Sequence, residues 1–80
     1  MMPLYGFSQG DCIGLLVLAE PELSVAELAE RLQRAAAVRV PYREKVAVLA
    51  FGRRLEANQT LANAGLSALD RFDVVADDEG

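Results

Sequence analysis

Histidine is absent from the 80 residues, which removes at once the commonest general base and the commonest side-chain metal ligand. The patterns HExxH, CxxC and GxSxG are missing, as is any glycine-rich loop able to cradle phosphate. Nucleophilic chemistry would have to rest on Cys12, Ser8, Ser24, Ser67 or Thr60 without an imidazole beside it. Cysteine occurs once, at Cys12, so no internal disulfide can form; small secreted domains usually rely on several, and an intracellular, cytoplasmic chain is expected. Within a strand-like run Cys12 reads most simply as a small buried hydrophobe. No apolar stretch approaches the roughly 20 residues of a membrane span, and Met1-Met2-Pro3 lacks the basic start and apolar core of a signal peptide.

An excess of positive charge is lacking too. The net charge of −4 argues against nucleic-acid partners, although its distribution is uneven. Between Arg31 and Arg54 stand seven basic residues against the single acid Glu44, whereas from Asp70 onward five acids face only Arg71. A solvated charge gradient and an oriented docking surface both fit that pattern. Eighty residues make one domain, spanning 1–80, with little apolar material left for a substrate cavity once a core is built. The chain is therefore not expected to be an enzyme by itself or to carry a cofactor.

What is present begins with one strongly signalled helix. Ser24 is an N-cap with Glu27 three residues on, a capping box, and Leu23 before it can staple onto Leu28. Val25, Leu28, Ala29, Leu32 and Ala36 recur on one face, while Glu27, Glu30, Arg31 and Arg34 fall elsewhere. Glu27–Arg31 and Glu30–Arg34 are acid-before-base pairs at i,i+4.

Strand-like segments flank this helix. Leu4 to Phe7 and Cys12 to Ala19, joined by Ser8-Gln9-Gly10-Asp11, read as a hairpin. The second of these strands is apolar at nearly every position, so one side should meet the helix and the other a loop, a tail or another chain. Pro41 stops any continuation of the helix, and Val46 to Phe51 forms the third strand, with Gly52-Arg53-Arg54 as the turn after it. Leu55 and its neighbours suggest a very short fourth strand; Thr60 can cap a single helical turn through Ala64, closed by Gly65. Phe72 to Ala76 is the last strand, and Asp77 to Gly80 a frayed acidic tail.

The order β-β-α-β-β-(short helix)-β predicts an α+β fold of β-grasp type: a mixed sheet of four to five strands on one main helix, the last strand beside the first. A ferredoxin-like fold would need a second full helix. β-Grasp sulfur carriers and modifiers act through a C-terminal Gly-Gly; Asp77-Asp78-Glu79-Gly80 offers a single glycine preceded by acids, so carrier chemistry is not expected.

The segment Phe51-Gly52-Arg53-Arg54-Leu55-Glu56, followed by Gln59 to Ala62 and Gly65-Leu66, is similar to ubiquitin-like domains. Over nearly the whole chain the sequence resembles the small gamma subunit of bacterial multicomponent diiron monooxygenases, protein B of the toluene monooxygenase system. The matching positions are Pro3, Asp11, Leu15-Leu16-Val17, Ser24, Ala29-Glu30, Arg39-Val40, Arg43-Glu44, Val46, Thr60-Leu61-Ala62, Gly65-Leu66 and Asp73-Val74-Val75. The resemblance implies a ubiquitin-like subunit without metal of its own, packed on a large hydroxylase subunit that holds the diiron centre. Large and medium hydroxylase subunits are then the implied partners, and no catalytic residue is carried over. For docking, Arg39, Arg43, Arg53 and Arg54 stand out as planar, bidentate cations, with Tyr5 and Phe7 as aromatic anchors. Against this, the arginines can be simply solvated and the two aromatics core. A free-standing ubiquitin-like adaptor, binding other proteins through a sheet face or edge, is the alternative role.

Overall fold

The computed structural model describes residues 1–77. Strands β1 (Met2–Ser8) and β2 (Leu15–Ala19) form the first hairpin, followed by helix α1 (Val25–Ala36). Strands β3 (Val46–Ala50), β4 (Arg53–Arg54) and β5 (Arg71–Ala76) complete a sheet of order β2-β1-β5-β3-β4. The central pair β1–β5 is parallel, and its other neighbours are antiparallel. This is the mixed β-grasp sheet that the element order predicts, with the last strand beside the first.

The helix forms where its capping box lies. The Glu27 N–H donates to Ser24 Oγ at 3.1 Å, and the Ser24 N–H donates back to Glu27 Oε1 at 3.4 Å. Its buried face is Val25, Leu28, Ala29, Leu32 and Ala36, laid on the sheet side carrying Leu4, Val17, Ala19, Val48, Phe72 and Val74. Gly6 belongs to that contact: a Cβ there would stand 2.6 Å from Phe72 Cζ and 2.9 Å from Leu32 Cδ1, so only glycine lets helix and strand approach this closely. Gln33 adds a buried polar group to the same face and exchanges two 2.9 Å hydrogen bonds with the Arg43 backbone, fixing the connection into β3.

Four local expectations change. The strand expected from Cys12 begins only at Leu15, and Cys12 is exposed rather than buried. The cause is Asp11, whose carboxylate accepts from the Ile13 N–H and bends the chain into a loop. The third strand stops at Ala50, because Phe51 and Gly52 both have positive φ (56° and 74°) and make a two-residue hairpin turn. Arg53-Arg54, expected as turn, is therefore strand β4, and Leu55 is a buried core residue that donates to the Val48 carbonyl. The turn after Thr60 keeps its expected cap and closing glycine but is too short to count as a helix: Thr60 Oγ1 accepts from the Asn63 N–H, the Ala64 N–H donates to the Thr60 carbonyl at 3.0 Å, and Gly65 supplies the left-handed position (φ 85°). Finally, Asp77 is not frayed. Its N–H donates to the Lys45 carbonyl at 3.0 Å and its carboxylate meets Arg54 Nη2 at 2.6 Å; the rest of the expected acidic tail lies outside the described residues.

Candidate partner-binding face

Alternation along the strands divides the sheet into a face under the helix and a face with no layer over it. On β1 the outward residues are Pro3, Tyr5 and Phe7, and the register sets Leu18 opposite Pro3 and Leu16 opposite Tyr5. Leu16 is 57% exposed, Leu18 54% and Tyr5 44%, so three large apolar side chains lie together on the surface. Cross-strand partners at this spacing form one continuous patch. The second face of β2, left open by the sequence pattern, is thus uncovered among the described residues.

Further across the sheet the outer face turns charged. Arg71 lies opposite Tyr5 on β5, its guanidinium 4.1 Å above the Phe7 ring and its Nε 3.0 Å from Asp73. Phe7 also covers Gly14, where a Cβ would come within 2.5 Å of the ring. It is therefore half-buried between a backbone and a cation rather than free like Tyr5. Arg54 is paired with Asp77, and Arg53 is exposed, its guanidinium donating to the Ala64 carbonyl at 3.4 Å.

Arg39 and Arg43 lie elsewhere, in the connection between α1 and β3. Arg39 forks onto both oxygens of Asp11 at 2.9–3.1 Å, and Arg43 Nη1 donates to the Gln9 carbonyl at 3.1 Å. Both tie the β1–β2 loop to the segment after the helix. Of the six residues singled out for docking, the structure thus gathers Tyr5, Phe7 and Arg54 on the outer face, sets Arg53 opposite Ala50 on the other side of β4, and employs Arg39 and Arg43 within the fold.

The Asp11 carboxylate, 3% exposed, is held below its usual value of 3.8, first by the Arg39 hydrogen bonds and then by the Ile13 and Cys12 N–H groups and the Arg39 charge, against desolvation. The folded chain binds this proton less readily than the unfolded chain. The contribution is therefore present above the unfolded value and lost as pH falls through the lower folded one. An acid titration of stability should accordingly show a component that Asp11→Asn removes: the variant is weaker at neutral pH and flatter in acid. Equal acid slopes for the two proteins would contradict it.

A groove of about 700 Å³ runs between α1 and β3, lined by Val25, Ala29, Val46, Val48 and Leu55. The Tyr42 hydroxyl donates to Glu30 on its rim, lowering the Glu30 carboxyl and raising the Tyr42 phenol. The lining holds no serine, threonine or cysteine; the hydroxyl it carries is the Tyr42 phenol, already bonded to Glu30. Among the described residues no group of three His, Cys, Asp or Glu side chains could hold a metal ion, and no helix is long and apolar enough to cross a membrane.

A family model matches residues 1–75: toluene-4-monooxygenase system protein B (TmoB). The chain belongs to the TmoB family. It is similar in fold to a chain of the toluene 4-monooxygenase HD complex with the inhibitor 4-bromobenzoate, at 24% identity, TM-score 0.87, and coverage of 95% of this chain and 98% of that one. It also resembles Caldiarchaeum subterraneum ubiquitin (19% identity, TM-score 0.75, 95% and 92% covered), which makes this TmoB-family fold ubiquitin-like. ATBAG1 in complex with HSP70 shares the fold at 12% identity and TM-score 0.80, with 98% of this chain covering 41% of that one. No curated protein matches the sequence significantly.

Proposed function

We propose that this TmoB-family chain is a non-catalytic small subunit of a multicomponent diiron monooxygenase acting on hydrocarbon or aromatic substrates. In this reading it packs on the iron-containing large subunit in the cytoplasm, beside a medium subunit, and supports assembly of the hydroxylase. The diiron centre and the oxygen chemistry belong to the large subunit, and this chain holds no cofactor. The carrying observation is the bare outer face at Tyr5, Leu16 and Leu18. Contiguous exposed apolar area of this kind marks an interaction surface.

The sheet's own edge is a poorer candidate. Arg31 Nη1 donates to the Leu18 carbonyl at 3.0 Å, which places a charged side chain over the outer rim of β2 and disfavours strand addition there. That favours docking through the face over an adaptor that pairs strands.

The test is to isolate the tagged chain from its own cells, size the eluate, and assay it for iron. Elution in a large complex with stoichiometric, iron-containing hydroxylase subunits is the expected result. Elution alone at 8.6 kDa would remove the subunit reading and leave the adaptor in its place.

A further inference from the structure

We propose that Phe51, at the tip of the β3–β4 hairpin, is an anchor that inserts into an apolar recess rimmed by carboxylates on the hydroxylase large subunit; this rests on the subunit reading above. Among the described residues only two that are not glycine have positive φ, Phe51 at 56° and Leu69 at 72°. Both are large apolar residues left in solvent, 56% and 60% exposed.

A two-residue turn with positive φ at both positions favours Asn or Gly at the first, and a bulky side chain there is strained. Phe51 joins no core cluster that would offset this strain. The fold carries the cost of phenylalanine at that position without placing its ring in the core. Backbone strain kept without return inside the chain points to a use outside it. Leu69 lies at the same end of the sheet: its N–H donates to the Pro3 carbonyl, and it precedes Arg71, which pairs with Tyr5.

The charge around the tip identifies the partner's chemistry. Phe51, Leu49, Arg53, Arg54 and Arg71 line, together with Asp70 and Asp73, a recess of about 600 Å³ at this end of the sheet. Arg71 and Arg54 already have carboxylate partners, whereas Arg53 makes no ion pair among the described residues. An exposed aromatic near a guanidinium that makes no ion pair among the described residues fits a pocket whose floor is apolar and whose rim is acidic, since aromatic and arginine side chains dominate interface energetics.

The experiment compares the full chain with Phe51→Asn and Arg53→Glu, measuring thermal midpoint and affinity for the purified large hydroxylase subunit. Phe51→Asn should raise the midpoint, because asparagine suits the turn, yet weaken association by roughly thirtyfold. Opposite signs in the two readouts separate an anchor from a structural residue. Arg53→Glu should leave the midpoint unchanged, weaken binding by about tenfold, and make the remaining affinity less sensitive to salt. If the parent chain binds and Phe51→Asn binds equally well, the anchor is overturned while the subunit reading stands. If only Arg53→Glu binds like the parent, the acidic rim is overturned. If the parent chain itself does not bind the large subunit, the subunit reading falls and the anchor with it.

Discussion

Phe72→Ala should cost about 3–5 kcal/mol, the largest stability loss expected of any single truncation in the core. Phe72 is fully buried and is the largest such side chain in the protein. It lies on β5, the strand that joins the β1–β2 hairpin to β3, so its ring supports both halves of the sheet. The ring edge comes so near the Gly6 backbone that a Cβ there would be only 2.6 Å from Cζ. A strand backbone and α1 cannot close on each other to fill the space an alanine would leave, so the cavity persists and its cost adds to the lost transfer energy. A domain of 80 residues has a stability of about 4–12 kcal/mol, so the loss is a large share of the total. At about 4 °C or more per kcal/mol, the thermal midpoint should fall by at least about 12 °C. Circular dichroism melts would detect this, and a shift of only a few degrees would mean that the core relaxes around residue 72.

The elements most legible in the sequence are those specified locally. The capping box at Ser24 and Glu27 fixes where α1 starts, and the spacing of Val25, Leu28, Leu32 and Ala36 fixes its buried face. What the sequence conceals depends on partners far along the chain. Asp11 reads as turn chemistry, but only the structure shows its carboxylate held by Arg39, 28 residues away, which takes Cys12 out of the strand and into solvent. Arg39 and Arg43 have the same charge as Arg53, and sequence alone cannot show that the first two are engaged within the fold. Phe51 is apolar and β-prone, so it extends a strand on paper; its positive φ follows from where β4 must turn back, which no local pattern reveals. For the site, the uniform apolarity of Leu15 to Ala19 signals a second contact face on β2 without marking which residues form it. The pleat decides that: Val17 and Ala19 point to the core, and Leu16 and Leu18 point out.

Substituting both outward leucines, Leu16→Asp with Leu18→Asp, should abolish copurification with the hydroxylase while leaving the isolated chain folded. Neither side chain supports the core, and surface substitutions of this kind usually shift stability by within about 0.5 kcal/mol each. Fully burying a leucine is worth about 1.5–3 kcal/mol, and each of these has a little over half of its surface still to bury, so losing two removes about 1.6–3.3 kcal/mol of association energy. That alone is more than about tenfold in affinity. Two carboxylates forced into an apolar contact add a desolvation cost in the same direction. Ala35→Asp, on the exposed side of α1, adds a comparable charge away from the outer sheet face and should leave association intact. The readout is the stoichiometry of the complex by size exclusion, with circular dichroism confirming the fold. Because Arg31 covers the rim of β2, strand pairing cannot readily substitute for the lost face. A double variant that still copurifies would therefore move the interface off this side of the sheet, and the groove between α1 and β3 would be the next surface to alter.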